Sequence, residues 1–245
     1  MENLHIQNFM ECARAAGWER IEEDGFTAVK SPVRETFANF VWAPAEQAAI
    51  EKSRRFFGDC PFTWALEQGQ DGGPLCAAGF QQPEPVPDMV LDLDKYSSPG
   101  HGRRIRIARA DTREDFPFWA ATAGEALGLW SDSVKGFFLP LVHEGGAVPL
   151  LAFYDGLPAA TALAICGHEA LGIYAVGTRK AYRRMGLGRA VTQACLTLGQ
   201  DLGLHRAVLS ASAMGLPLYR RIGFRTERIV AEFQWTAAAT PAAPR

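Results

Sequence analysis

The sequence predicts an α/β fold in two units, a smaller one over residues 1–100 and a larger one over residues 101–236, with a tail at 237–245. Three observations predict it. The chain has 245 residues, is 48% hydrophobic and carries a formal net charge of -2, enough apolar material for a full core in one large or two small domains. Short β-branched and aromatic runs alternate with longer stretches of helical periodicity. Between Gly172 and Phe224 the pattern is strand, glycine-containing turn, helix, strand, then a short helix ending in Gly-Phe.

At the start, MENLHIQNFMECARAAG places Ile6, Phe9, Met10 and Ala13 at helical spacing. It has acidic and polar residues where a signal peptide would carry positive charge and an apolar core, so it reads as an ordinary first helix. Phe26–Lys30 and Thr36–Ala43 read as strands separated by Ser31-Pro32. Then come a helix over 45–57, a strand over 62–67, a short helix over 74–78 and a strand over 88–93. The Leu75–Phe80 segment repeats the Gly-Phe ending seen at Leu218–Phe224, which any helix C-terminus could also use.

KYSSPGHGRR at 95–104 has linker chemistry, with Ser, Pro and Gly clustered between two strand patterns. The second unit opens with an alternating strand over 105–110. Asp111-Thr112 with Glu114 signals a helix running to Leu127, and Ser131-Asp132 signals a second over 133–143. Strands over 148–154 and 159–166 flank Asp155-Gly156, a hairpin turn pair. A third strand over 170–176 leads into a basic loop over 178–185. Leu187, Ala190, Val191, Ala194, Leu198 and Leu202 then mark the buried face of an amphipathic helix ended by Gly203. A strand over 207–212, a short helix with Pro217 in its first turn and a strand over 225–235 complete the unit. TAAATPAAPR is too poor in apolar bulk to fold.

Strand, glycine turn and helix in that order make an anion site. The first amides of a helix lack intrahelical acceptors, the dipole adds positive charge there, and glycine allows close approach. Neither a P-loop nor a G-x-G-x-x-G fingerprint is present. What stands there is Arg183-Arg184-Met185-Gly186-Leu187-Gly188, an R-x-x-G-x-G string, followed one helix and one strand later by Leu218, Tyr219, Gly223 and Phe224, an L-Y-x-x-x-G-F string. In these two strings the chain resembles the GNAT superfamily of N-acetyltransferases, over roughly residues 103–236. The resemblance implies the GNAT fold, a mixed, mostly antiparallel central sheet flanked by helices. It also makes the N-terminal unit a degenerate, non-catalytic half-copy. That unit has no R-x-x-G-x-G string, and Cys76 stands where the tyrosine would be wanted.

The resemblance implies acetyl-CoA as co-substrate. Backbone amides of Arg184, Met185, Gly186, Leu187, Gly188 and Arg189 would cradle its pyrophosphate, with Arg179, Lys180, Arg183, Arg184 and Arg189 adding charge-assisted bonds. The backbone of Ala175 and Val176 would pair with the pantetheine arm like an added strand. Tyr219 matches the tyrosine that protonates the departing thiolate, its ordinary pKa near ~10 keeping it protonated. Ser212 stands where the family often has Asn, and is read as bonding the cofactor or capping the helix. Tyr174, two places before Val176 and so on its face, joins Trp130, Asp132 and Phe137 as acceptor-pocket candidates. Each aromatic taken singly is more often core packing.

No general base stands out among Glu169, Glu144, Asp132, His143 and His168. Glu169 is an odd number of residues from Val176, so a regular strand turns it away, and a bulge would reverse that parity. The histidines lack metal-ligand spacing. Five scattered cysteines without C-x-x-C fit reduced thiols in a cytoplasm. The charge leaves no footprint for nucleic acid, and no run of eighteen apolar residues would span a membrane. The expectation is an acetyl-CoA-dependent N-acetyltransferase for a primary amine of a small molecule, monomeric or homodimeric. A protein or peptide acetylase and a non-catalytic acyl-CoA-binding module are the alternatives.

Overall fold

The computed structural model describes residues 3–100 and 102–237; most of the expected tail lies outside the described residues. In chain order the elements are α1 (Leu4–Ala15), β1 (Glu19–Glu23), β2 (Phe26–Lys30), β3 (Asn39–Trp42), α2 (Gln47–Phe57), β4 (Phe62–Glu67), α3 (Gly73–Ala77), β5 (Glu84–Asp92), β6 (Ile105–Arg109), α4 (Phe116–Leu127), α5 (Ser131–His143), β7 (Val148–Tyr154), β8 (Leu157–Cys166), β9 (Leu171–Thr178), α6 (Leu187–Asp201), β10 (Arg206–Ser210), α7 (Leu216–Ile222) and β11 (Arg225–Trp235). Among the described residues no helix is long and apolar enough to cross a membrane.

Two compact units form, and they are not cut at residue 100. One takes residues 1–18 and 86–228, the other 19–85 and 229–245. Three segments change allegiance. The first helix and the strand read at 88–93 belong with the later residues, and the end of β11 returns to the earlier ones. A linker composition marks where the chain is loop, while unit membership is decided by which strand finds which partner.

In the larger unit the strand order is β5-β10-β9-β8-β7-β6. All pairs are antiparallel except β9 with β10, the pair joined by the α6 crossover. Asp155 and Gly156 both have positive φ (48° and 84°), the geometry of a two-residue hairpin turn between β7 and β8. One face buries Leu171, Ile173, Leu187, Val191, Cys195, Leu196 and Tyr219 under α6 and α7. The opposite face carries α4, α5 and α1. Asn3 caps α1 by accepting from the amides of His5 (3.1 Å) and Ile6 (3.3 Å). Phe9 of α1 then packs against Phe137 and Tyr174 at 6.4 and 6.1 Å between ring centroids.

The smaller unit pairs β1, β2, β3 and β4 with residues 230–235 of β11, around Phe57, Phe62, Trp64, Leu75 and Phe233. Trp64 Nε1 donates to Ala43 O at 2.8 Å. Thr36–Ala38 is a 3-10 turn, and only Asn39–Trp42 is strand. The buried Asn39 amide explains the break, since Nδ2 donates to Val33 O and Glu35 O and holds the preceding chain in a curl. β1 has no apolar alternation and is exposed on both faces; only pairing with β2 makes it a strand. The repeat read at Leu75–Phe80 has a structural counterpart. Gly79 and Gly223 both have positive φ, and the amides of Phe80 and Phe224 each bond back five residues, to Leu75 O (3.1 Å) and Tyr219 O (3.0 Å).

Candidate functional site

The site grows out of two irregularities in β9. The first is a bulge. Between the pairs Thr161↔Gly177 and Leu163↔Tyr174, β9 uses one residue more than β8. Ala175 absorbs it at φ 49°, and its carbonyl accepts from Thr161 Oγ1 at 3.0 Å. The bulge reverses the alternation. Leu171, Ile173 and Val176 pack on the α6 side, whereas a Cβ on Gly172 would strike Asn8 of α1 and one on Gly177 would strike Ala126 of α4. Tyr174 therefore does not share the face of Val176, contrary to the regular-strand expectation. Its hydroxyl donates to Asn8 Oδ1 at 3.1 Å, and burial pushes the phenol well above its ordinary pKa. Glu169 lies in the exposed turn before β9 and outside the strand whose parity was to be judged.

The second irregularity is a divergence. β9 and β10 pair only at Ala207↔Leu171 and Val208↔Gly172, although β9 runs on to Thr178 and β10 to Ser210. Beyond Gly172 the edge of β9 facing β10 has no strand partner among the described residues, and Ala175 and Val176 lie on that stretch.

The loop after β9 delivers the helix start. Lys180–Tyr182 makes a 3-10 turn, Arg183 Nε donates to Thr178 O at 3.2 Å, and Arg184 (φ 65°) and Gly186 (φ 83°) both take left-handed backbone. The first intrahelical bond of α6 is Ala190 N–H to Gly186 O at 3.0 Å, so the amides of Leu187, Gly188 and Arg189 precede it. The Leu187 side chain is buried and anchors the helix start. A Cβ on Gly188 would press Leu218 at 3.3 Å. Met185 is exposed, and with Gly186, Arg189, Gln193, Arg103 and Tyr154 it lines a cleft of ≈ 470 Å³ beside the helix start. Arg179 does not join this group. Its Nε lies 3.0 Å from Glu125 Oε2 and its Nη1 donates to Pro158 O at 2.9 Å, an engagement with α4 that the local sequence conceals.

Tyr219 is buried on α7 against Phe224, at 6.0 Å between centroids, and burial pushes its phenol far above the ordinary value, leaving it protonated. Gly215 lies against it, and a Cβ there would come within 2.8 Å of Tyr219 Cε2. Ser212 closes the turn that leads to α7, Oγ accepting from the Gly215 amide at 3.2 Å. Trp130 is 80% exposed at the start of α5. Asp132 is fully exposed, 3.8 Å from Lys135 Nζ. Phe137 is buried against Phe9 and Trp18 and is core. His168 pairs with Glu11 of α1 at 3.4 Å.

Residues 106–224 match the sequence model of the Acetyltransferase (GNAT) family. The chain is 47% identical over 62 residues to the mycothiol acetyltransferase of Arthrobacter sp. (strain FB24), covering 24% of this chain and 19% of that protein. It is 30% identical over 147 residues to the mycothiol acetyltransferase of Cellulomonas flavigena, covering 58% and 38%. The matches thus span well under half the length of these relatives. Among solved structures, a GCN5-related N-acetyltransferase from Kribbella flavida superposes with a TM-score of 0.70 at 20% identity, over 98% of this chain and 99% of that one. One from Sphaerobacter thermophilus gives 0.66 at 16% identity, over 94% and 91%. These two likenesses speak to the fold.

Proposed function

With residues 106–224 placing this chain in the GNAT acetyltransferase family, we propose that it is an acetyl-CoA-dependent N-acetyltransferase acting on a primary amine of a small molecule. The observation that carries the reading is the divergence of β9 from β10 directly upstream of a helix whose first three amides are uncommitted within it. Those amides, with Arg184 and Arg189, suit a pyrophosphate. The open edge at Ala175 and Val176 suits the amide-bearing pantetheine arm, as a strand would. Extended along that edge, the arm brings its thioester toward the β9–β10 opening.

In the reaction the neutral amine nitrogen attacks the thioester carbonyl, the C–N bond forms, the C–S bond breaks, the leaving thiolate takes a proton from Tyr219, and the proton shed by the new amide nitrogen returns through solvent to the tyrosine. Tyr219 holds the proton for that thiolate. Its burial makes a phenolate costly at rest, so the proton is available at neutral pH. The bulge at Ala175 sets which backbone groups face the opening, and Gly215 leaves room for the tyrosine ring. The non-catalytic, GNAT-like half expected over residues 1–100 is narrowed in this reading to the smaller unit, residues 19–85 with the end of β11.

Calorimetric titration with acetyl-CoA tests the reading. Wild type should bind saturably, and Arg184→Ala/Arg189→Ala should bind roughly a hundredfold more weakly, from two charge-assisted hydrogen bonds of about 1.5 kcal/mol each. A folded wild type that does not bind acetyl-CoA refutes it.

A further inference from the structure

A polar cluster used by nothing above lies on the α1 face where β9 and β10 part. Val208 and Gly172 are the last paired residues. Val208 clusters with Val90, Ala170 and Leu4 of α1, which fixes the face. Two residues on, Ser210 therefore faces the same way, as does Tyr174 across the opening. The end of β10 stays attached to β5, through the Ser210↔Asp88 pair and the Ala211 amide, which donates to Pro87 O at 2.8 Å. The opening is thus on the β9 side of Ser210.

Ser210 is exposed, and Asp88 behind it is buried. Ser210 Oγ donates to Asp88 Oδ1 at 2.6 Å. That bond commits the hydroxyl proton inward and leaves the oxygen lone pairs as acceptors toward solvent. Arg228 Nε and His5 Nδ1 each lie 3.7 Å from the Asp88 carboxylate. His5 is almost completely buried, and its Nε2 has no hydrogen-bond partner among the described residues. Glu227 lies beside Arg228 at 3.5 Å, and burial keeps His5 neutral.

We propose that Ser210, oriented by Asp88, is the docking point of the acceptor, receiving an N–H of a primary amine or ammonium at the opening between β9 and β10. The inference rests on the acetyl-transfer reading and adds where the second substrate sits. It also gives the first hundred residues a part in the site. α1 supplies His5, and Asn8 holds Tyr174; β5 supplies Asp88. Ser210 is the contact residue and Asp88 a positioning residue, because its carboxylate acts through the hydroxyl it holds.

The test measures thiol release from acetyl-CoA by the full chain with ethylamine as a minimal acceptor, alongside acetyl-CoA titration. Ser210→Ala should raise the KM for ethylamine roughly ten- to a hundredfold, the range for a hydrogen bond to a charged group, with acetyl-CoA affinity within about twofold of wild type. Ser210→Thr keeps the hydroxyl and should recover most of the loss. Asp88→Asn keeps an oxygen for Ser210 at the same volume and should fall between, moving KM for the amine and not for acetyl-CoA. An ethylamine KM unchanged in Ser210→Ala overturns the inference. So does a wild type that binds acetyl-CoA and releases no thiol in response to ethylamine. Wild type failing to bind acetyl-CoA is the different failure, that of the acetyl-transfer reading itself.

Discussion

His5 offers a prediction whose size follows from its surroundings. Burial, then the Arg228 guanidinium, lower its pKa from an ordinary 6.5 to about 4, with Glu227 opposing weakly. The folded chain therefore holds His5 neutral while the unfolded chain protonates it below 6.5. Between those values the unfolded state binds more protons, so stability falls as pH falls. The contribution is complete above pH 6.5 and is lost through pH 4, amounting to roughly 3 kcal/mol over the window, about 2 kcal/mol of it between pH 7 and pH 5. The assay is urea unfolding of wild type and His5→Gln at pH 7, 6 and 5. Gln does not titrate, and subtracting the two curves cancels the carboxylates common to both. The stability advantage of wild type should shrink by about 2 kcal/mol from pH 7 to pH 5. An advantage that stays constant across that range refutes the assignment of His5 as a neutral buried group.

Three further outcomes are expected. Gly215→Ala places a Cβ 2.8 Å from Tyr219 Cε2 and must displace the ring, so kcat should drop roughly tenfold or more while acetyl-CoA affinity holds; an unchanged kcat would show that the ring position is immaterial. Tyr219→Phe removes the proton donor and should lower kcat roughly a hundredfold at unchanged acetyl-CoA affinity, checked by steady-state thiol release and titration. Ala175→Gly relieves a left-handed alanine worth about 1–2 kcal/mol and adds about 0.5–1 kcal/mol of chain entropy, so a small gain in stability is expected by urea unfolding; a marked loss would mean the methyl itself packs.

The part of the site that is local in the chain was legible in the sequence. Arg183–Gly188 and Leu218–Phe224 state their turn and helix chemistry in consecutive residues, because positive φ at Gly186 and Gly223 and an uncommitted helix start depend only on near neighbours. The Asp155-Gly156 hairpin was legible for the same reason. Arg179 was misread because its partner, Glu125, is far off along the chain. Tyr174 was assigned the face of Val176 because alternation assumes a regular strand. The bulge at Ala175 exists only through pairing with β8, and no glycine marks it.

By itself, then, the sequence determined an α/β chain with a strand, a basic glycine-containing loop and a helix start in that order, and a tyrosine-bearing short helix downstream of them. Each of those is a property of short segments, governed by periodicity, capping and glycine. Only the tertiary structure decided that β5 pairs with β10 and the end of β11 with β4, that α1 packs on the larger unit, and that β9 leaves β10 after Gly172. Those are choices among competing strand partners and apolar faces distant in sequence, settled by which pairing buries the most surface. They bring His5, Asn8 and Asp88 beside Tyr174 and Ser210, where β9 and β10 part.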